Sequence, residues 1–340
     1  MRSRISISTD AVEPALRSDF WREISRPLFQ VSLLESPEPT LRGACISQPV
    51  GDLMIGAIRF NRQRYQRDRK TISASGMDSY LIQCLTSGSL RGDCDGRTIE
   101  ADVGDICIFD LARPYVTEAE AGARITIVIP RTRIDAVIGH RSLHGLTLRA
   151  SDPLTQMLRS VLLSLNDIAS DIDEADALAA ETTLIEVLIT IVSHRLLGAD
   201  QPRTPTTTAL RARVEAFLDA HLTSPDLGVE ALMREFDVSR THLYRIFADK
   251  GGLASAIRER RLDAAFHRLR RAEAIDISIT DVALDLGFSS SAQFARAFRA
   301  RFAMSPSEAR FNADRPSSGN AVLSLQGHLR ERLMELSRET

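Results

Sequence analysis

The stretch ITDVALDLGFSSSAQFARAFRARFAMSPSEAR, residues 279–310, decides the fold of the C-terminal part of this chain. Apolar residues at helical spacing before Gly287 predict a helix with one buried face. Gly287 stands where that helix must end, because glycine adopts the left-handed conformation without a steric penalty. Phe294, Phe298 and Phe302 then recur every four residues and predict the inner face of a second helix. The stretch is therefore predicted to form a helix-turn-helix.

The outer face of the second helix is predicted to carry small polar residues and arginine, a composition suited to the DNA major groove. The residues placed there are Ser291, Ala292, Gln293, Arg296 and Arg299. Arginine matches the edge of guanine and glutamine that of adenine, so we assign Arg296 to guanine and Gln293 to adenine. The alternative is an ordinary α-hairpin of a helical protein.

A second copy of the pattern lies upstream and weakens that alternative. In LMREFDVSRTHLYRIF, residues 232–247, Asp237 stands at the turn and Ser239 at the start of the second helix. The residues predicted to point outward are Thr241, Tyr244 and Arg245, of which Arg245 is assigned to guanine. A basic segment of about 16 residues joins the copies and spans about 24 Å as a helix. It is predicted to hold the two reading helices about 34 Å apart, one turn of B-DNA.

Residues 209–312 resemble the DNA-binding domain of the AraC/XylS family of bacterial transcription regulators. The matching positions are Val238-Ser239, Leu243, Phe247, Gly252, Arg261-Leu262, Ala265, Ile279, Val282-Ala283, Gly287-Phe288, Phe294, Phe298 and Ser305-Pro306-Ser307-Glu308. Three residues depart from the family pattern: Asp237 replaces glycine, Met233 replaces alanine and Ala309 replaces tyrosine. Aspartate tolerates left-handed geometry, so both motifs are expected to form, the first less regularly. The resemblance implies activation of a promoter through RNA polymerase.

The composition fits a soluble globular protein, with 44% hydrophobic and 26% charged residues. The net charge of −2 gives no argument for nucleic acid. We expect no membrane span, because no run of about 20 apolar residues occurs, and no signal peptide, because the N-terminus lacks an apolar core. A cytoplasmic bacterial protein is therefore expected. Cys45, Cys84, Cys94 and Cys107 form no C-x-x-C pair and are interpreted as buried thiols, a redox sensor being the alternative.

Between residues 41 and 129 the pattern changes to short β-rich runs broken by glycine and aspartate, which predicts a sandwich or barrel. The segment DGRTIEADVGDICIFDLARPYV resembles the cupin-like sensor domain of the same family. The predicted fold class is therefore α+β, with a cupin-like β-barrel and a helical hairpin before an all-α domain with two helix-turn-helix motifs. Residues 1–150 are assigned to the sensor domain, including an N-terminal helix.

A metal enzyme is disfavoured, because a cupin metal site needs about three clustered histidines and a carboxylate. No histidine lies between residues 41 and 129, and His140 and His144 are interpreted as a surface pair. No nucleophile motif or phosphate loop is present either. We therefore expect no catalytic residue, no metal and no cofactor.

The barrel is expected instead to bind a small organic effector, anionic or aromatic, without catalysis. The candidate contacts are Arg59, Tyr80, Arg113 and Tyr115, since an arginine fork can grip an anion bidentately. The alternative is that the arginine-rich run of residues 59–72 is only a solvated edge.

Two helices with apolar stripes are predicted in residues 151–198, as a hairpin that dimerises or only covers the barrel. Residues 199–208 are predicted to be a linker, and residues 313–340 a tail without an assigned role. The leading function is an effector-controlled, sequence-specific transcription regulator, a homodimer on double-stranded DNA. The alternative is an effector-independent regulator whose N-terminal domain serves dimerisation or a protein partner.

Overall fold

The structure is a computed structural model, and it describes residues 4–34, 39–134, 142–198, 207–224, 226–248, 252–269, 277–302, 304–311 and 321–339. The chain divides into two compact units. The first comprises Met1–Val137, Leu143–Ile191 and Gly319–Thr340, and the second comprises Ile138–Ser142 and Val192–Ser318. The predicted α+β class, a cupin-like sheet domain followed by an all-α domain with two helix-turn-helix motifs, is confirmed.

The first unit is built on two antiparallel sheets. Its strands are β1 (Ile5–Ser8), β2 (Gln30–Leu33), β3 (Gly43–Val50), β4 (Leu53–Phe60), β5 (Gln63–Arg67), β6 (Ser79–Ser87), β7 (Leu90–Asp93), β8 (Thr98–Ala101), β9 (Ile106–Asp110), β10 (Tyr115–Ala119), β11 (Gly122–Pro130) and β12 (Leu146–Leu148). One sheet has the order β1-β3-β4-β11-β6-β9-β12 and the other β2-β5-β10-β7-β8. The sheets share a core, in which Phe109 of β9 lies 4.8 Å from Tyr115 of β10 between ring centroids.

Helices cover this unit. They are α1 (Arg17–Ser25), α2 (Arg69–Ser75), α3 (Pro153–Ile168), α4 (Glu174–Gly198) and, at the far end of the sequence, α12 (Ala321–Glu339). The predicted apolar stripe of α3 buries Leu158, Leu162 and Leu165, and the helix packs on β4 and β11. The buried carboxylate of Glu181 on α4 accepts a hydrogen bond of 2.7 Å from the backbone N–H of Asp52. α3 therefore packs on the seven-stranded sheet, and α4 is hydrogen-bonded to the turn between β3 and β4.

The second unit is all helical in its described residues. Its helices are α5 (Thr207–Ala220), α6 (Val229–Phe236), α7 (Arg240–Ile246), α8 (Leu253–Leu269), α9 (Ile279–Asp285), α10 (Ser291–Phe302) and α11 (Pro306–Phe311). The pairs α6–α7 and α9–α10 are the two predicted helix-turn-helix motifs, and α8 joins them. Most of the predicted linker, residues 199–206, lies outside the described residues, and α5 begins at Thr207.

The interpretation of His140 and His144 as a surface pair is wrong for His144, whose residue surface is 3% exposed. Its Nδ1 accepts the backbone N–H of Asp110, so Nε2–H donates to the carbonyl of Pro114. Burial, reinforced by Arg113, lowers the pKa of His144 to about 4. The imidazole is therefore a neutral structural bridge. His140 lies outside the described residues.

Candidate DNA interface and effector cavity

The turn of the second motif depends on Gly287. Its φ of 70° lies in the left-handed region, and the following N–H of Phe288 donates to the carbonyl of Ala283 at 2.9 Å. A Cβ at Gly287 would come within 2.6 Å of the Arg261 guanidinium, which donates to the carbonyl of Gly287 itself. Both the backbone conformation and this close approach require glycine.

The aromatic face of α10 is fully buried and turns the opposite face outward. Phe294 and Phe298 are 0% exposed, and Phe302 stacks on Phe266 of α8 with ring centroids 4.6 Å apart. Because these rings fix the inner face, the opposite side of the helix faces solvent, whereas Arg301 is buried beside the rings. The residues that are exposed there are Ser291, Ala292, Gln293, Arg296 and Arg299. The structure thus presents all five predicted DNA contacts together on one helix.

The first motif has the same plan with a less regular turn. Asp237 adopts the left-handed conformation at φ 50°, and the N–H of Val238 donates to the carbonyl of Met233 at 3.3 Å, longer than its counterpart in the second motif. Ser239 caps α7 by accepting from the N–H of His242. The exposed residues of α7 include Thr241, Tyr244 and Arg245. The three predicted contacts of this motif are therefore accessible.

The arginines of α8 divide into two that make structural contacts and one that is exposed. Arg260 is buried and pairs with Asp219 of α5 at 2.9 Å. Arg261 donates to three carbonyls, those of Leu222, Ser224 and Gly287. Arg258 is exposed. Arg260 and Arg261 are therefore structural, and Arg258 remains accessible to a phosphate.

A cavity of about 60 Å³ lies in the first unit between the inner face of the seven-stranded sheet, α1 and α12. Alternate residues of β11 line it, as expected for one face of a strand: Arg124, Thr126 and Val128. Trp21 of α1 and Tyr65 of β5 also contribute to a lining that is mostly apolar. We call this space the effector cavity, because the sequence predicts that this domain binds an effector.

Arg124 is the charged side chain among the lining residues, and it is 2% exposed. Its guanidinium lies 4.6 Å from the ring centroid of Phe60 and 4.5 Å from that of Tyr65. Arg124 Nε and Thr126 Oγ1 are buried without a hydrogen-bond partner. The residues that line the cavity include no aspartate or glutamate. A β-bulge between Ala123 and Arg124 interrupts the pairing with β6 at this point, and bulges commonly re-aim a side chain.

None of the four predicted effector contacts lines this cavity. Arg59 is exposed on β4, and Arg113 pairs with Asp95 at 2.6 Å. The hydroxyl of Tyr80 accepts from Arg131, which also pairs with two aspartates. Tyr115 is buried, and burial raises its pKa. The structure therefore does not bring these residues together around one ligand.

Sequence reasoning missed Arg124, although the strand RITIVIP contains a usable signal. Arg124, Thr126 and Val128 alternate with Ile125 and Ile127, and all five are buried. A strand with no polar exposed face is buried on both sides. An arginine inside such a strand is a buried cation, which proteins rarely leave without a partner.

The four cysteines of the first unit are free thiols. Burial raises the pKa of Cys45 and Cys107 to about 12 and that of Cys84 to about 11, and it also raises that of Cys94. Thiols of this kind stay protonated and behave as small apolar groups.

Within the described ranges, no group of three His, Cys, Asp or Glu side chains is placed to hold a metal ion. In the same residues, no helix has the length and apolarity to cross a membrane.

Two family models match the chain, one in each of the two units for most of its length. An AraC-binding-like domain matches residues 34–197, and a helix-turn-helix domain matches residues 232–312. The first match contains the strands that line the effector cavity but neither the lining residues before residue 34 nor α12. The second covers both helix-turn-helix motifs except for the first turn of α6.

Individual relatives agree with these matches. The chain is 35% identical to regulatory protein SoxS of Escherichia coli K12 over 97 residues, which are 28% of this chain and 87% of SoxS. It is 27% identical to the HTH-type transcriptional activator RhaS of Escherichia fergusonii over 178 residues, 52% of this chain and 60% of RhaS. The crystal structure of the AraC-like transcriptional activator CuxR superposes with a TM-score of 0.52 at 25% identity, covering 77% of this chain and 95% of CuxR.

Proposed function

This chain belongs to the AraC family of DNA-binding transcription regulators, and on that premise we propose that it activates transcription under the control of a small organic acid bound in the effector cavity. The effector part of the proposal depends on Arg124, a buried guanidinium in a mostly apolar cavity whose lining includes no carboxylate. The DNA part rests on eight exposed side chains on α7 and α10. An enzyme is not proposed, because the relatives and the fold are those of regulators.

DNA recognition is proposed to use both motifs on successive major grooves of a promoter. Thr241, Tyr244 and Arg245 would contact one half-site, and the five exposed residues of α10 the other. Selection of bound fragments from genomic DNA should recover two half-sites about 10 base pairs apart. Recovery of no preferred sequence, with binding lost steeply as salt rises, would leave only the electrostatic attraction to phosphates.

Arg296→Ala is expected to weaken operator binding by about 1–3 kcal/mol and to relax selectivity at a single base pair. The reason is the loss of a bidentate contact to guanine. Affinity for a panel of operators with single base changes measures both effects. Arg258→Ala is the matched control, since this exposed arginine of α8 is expected to weaken all sequences equally. A uniform loss for Arg296→Ala would instead identify a phosphate contact.

The effector is proposed to be an apolar carboxylate whose charged end pairs with Arg124. An unpaired buried charge is costly, and an organic anion would offset that cost by a charge-assisted contact. The hydroxyl of Thr126 supplies a further hydrogen-bonding group in the same cavity. In this proposal Arg124 takes the place of Arg59, Tyr80, Arg113 and Tyr115.

Arg124→Met is expected to weaken binding of an organic acid by about 10–100-fold, since hydrogen bonds to charged groups contribute about 1.5–3 kcal/mol. The stability of the unliganded protein should be unchanged or higher, because a buried unpaired charge is removed. Calorimetry with aromatic and straight-chain monocarboxylates, and with the matching neutral amides, measures the first effect. Arg113→Met is the control, expected to break the ion pair with Asp95 and lower stability without changing affinity. Equal binding of acids and amides would contradict the role of Arg124.

The second candidate, an effector-independent regulator, is favoured by the small volume of the cavity. Pockets for organic ligands usually measure about 300–1,000 Å³, whereas this one measures about 60 Å³. Heat from none of the monocarboxylates would support this candidate.

Activation through RNA polymerase is proposed because RhaS and CuxR are both described as transcriptional activators. Acting on promoter DNA would place the protein in the bacterial cytoplasm. Transcription in vitro with bacterial RNA polymerase should increase when the protein occupies its operator. A decrease would instead mark a repressor.

A homodimer is proposed through the helices α3 and α4, which leave large apolar side chains exposed. Met157, Ile168 and Leu178 are 47%, 48% and 56% exposed. Sedimentation of the full chain at micromolar concentration should give a dimer that Leu178→Asp dissociates. Val103→Asp, at another exposed apolar residue, is the control. A monomeric wild-type protein would contradict this part of the proposal.

A further inference from the structure

The last helix of the chain, α12, packs on the sensor unit although it follows the DNA-binding unit in sequence. It belongs to the first unit and contacts β1, β11 and α1. Leu325 and Leu329 are 3% and 4% exposed and join the hydrophobic core of that unit. Leu333, one turn further along, is partly buried against the same core. The sequence pattern assigned no role to this tail, but in the structure it packs at a defined site on the sensor unit.

Besides these apolar contacts, α12 makes polar contacts to a single residue of α1. His328 Nε2 lies 2.7 Å from the backbone carbonyl of Glu23, and the Arg332 guanidinium lies 4.0 Å from the carboxylate of the same residue. On the opposite side of the helix, Met334 is 59% exposed. The helix is therefore amphipathic, and its apolar side is directed at the sensor unit.

The buried side of α12 also lines the effector cavity. Leu325 and Leu329 line the cavity together with Arg124 and Trp21. With both leucines in place, the remaining volume of about 60 Å³ is below that of ordinary organic-ligand pockets. An organic effector of ordinary size and these two side chains therefore require the same space.

The order of segments along the chain connects this competition to DNA binding. The DNA-binding unit, Val192–Ser318, lies in sequence between two parts of the sensor unit. While α12 is seated, the DNA-binding unit is attached to the sensor unit at both ends. The C-terminal attachment is the chain segment between α11 and α12. Release of α12 would remove this second attachment and enlarge the range of positions open to the DNA-binding unit.

We propose that α12 is an internal occupant of the effector cavity, and that an apolar carboxylate displaces Leu325 and Leu329 and so releases the helix. The inference rests on the proposed effector function of the cavity. It adds that α12 is the element that responds when an effector binds there. Coupling between two sites is reciprocal, so a ligand that expels the helix must bind more tightly once the helix is released.

The test compares the full-length Leu325→Asp/Leu329→Asp variant with wild type, and uses Met334→Asp as the matched control on the exposed side of α12. Hydrogen–deuterium exchange of residues 321–334 reports release of the helix. Fluorescence of Trp21, the single tryptophan of the chain, reports the cavity. Octanoate is the ligand probe, and the operator recovered by selection is the DNA probe.

In wild type, octanoate is expected to increase exchange of residues 321–334 and to shift the Trp21 emission. The double variant should show fast exchange without ligand, bind octanoate at least 10-fold more tightly, and have an operator affinity different from that of unliganded wild type. Met334→Asp should behave as wild type in every measurement. Leu329→Ala, a milder change, serves if the double variant does not fold.

Two separate failures are distinguishable. If octanoate binds wild type but neither changes exchange of α12 nor binds the variant more tightly, the displacement inference is overturned while the effector proposal stands. An operator affinity that is the same in the double variant and in wild type, with α12 released, also overturns it. If no monocarboxylate binds either wild type or the released variant, the proposed effector function itself fails and the inference fails with it.

Discussion

Arg301→Met is expected to lower the free energy of unfolding of the DNA-binding unit by about 3–5 kcal/mol. Arg301 of α10 is 5% exposed and forms two hydrogen bonds, of 2.6 and 2.7 Å, with the carboxylate of Asp263 on α8. Removing the guanidinium leaves that carboxylate, 14% exposed, without its principal partner. Urea unfolding followed by circular dichroism, with hydrogen exchange of α8 and α10, measures the loss.

Arg299→Ala is the matched control, two residues away on the same helix. Arg299 is exposed and is a proposed DNA contact, so its removal should reduce operator affinity without changing the unfolding midpoint. The two arginines are therefore expected to separate stability from recognition. Unchanged stability of Arg301→Met would mean that its ion pair does not hold α10 against α8.

Phe298→Ala is expected to destabilise the DNA-binding unit by about 3–5 kcal/mol, because a fully buried aromatic side chain is replaced by a cavity. Phe298 is 0% exposed and lies 5.4 Å from Phe294 and 4.6 Å from Phe302 between ring centroids. Loss of this side chain removes the centre of the aromatic face that orients α10. Operator affinity should fall in parallel with the folded fraction, measured by unfolding at the temperature of the binding assay.

Tyr244→Ala provides the comparison at an exposed aromatic residue. Tyr244 is 48% exposed on α7, so its replacement should leave the unfolding free energy within about 0.5 kcal/mol of wild type. A lower operator affinity at unchanged stability would mark Tyr244 as a DNA contact. A large loss of stability would instead show that the tyrosine packs against the unit.

The helix-turn-helix motifs could be predicted from sequence because their signals are local. Gly287 marks the left-handed turn, and three phenylalanines four residues apart specify the inner face of α10. Asp237 departs from the family pattern and still adopts φ 50°, as expected from the tolerance of aspartate for this region. The exposed face of α10 follows from this inner face, because helical periodicity places it on the opposite side of the helix.

The effector contacts could not be predicted in the same way, because arginines look alike in sequence. Arg67 stands in the run that suggested a ligand site, yet its buried guanidinium donates to the carbonyls of Pro27, Leu28 and Leu111. Burial lowers its pKa to about 10, so it remains charged at neutral pH. Arg124 is similarly buried, but the residues that line the cavity with it include no carboxylate. Only the tertiary packing distinguishes Arg67, which is bound to backbone carbonyls, from Arg124, which a ligand could pair with.

The sequence by itself determined the two helix-turn-helix motifs, the sheet-rich first domain and the helices between them, because periodicity and turn residues act over a few positions. The tertiary structure alone decided which arginine lines the cavity, that His144 is buried, and that α12, which follows the DNA-binding unit in sequence, packs on the sensor unit. These features depend on contacts between residues far apart in the chain: His328 meets Glu23 across 305 positions. No local pattern encodes such a partner, because its free energy comes from surfaces that exist only after the chain has folded.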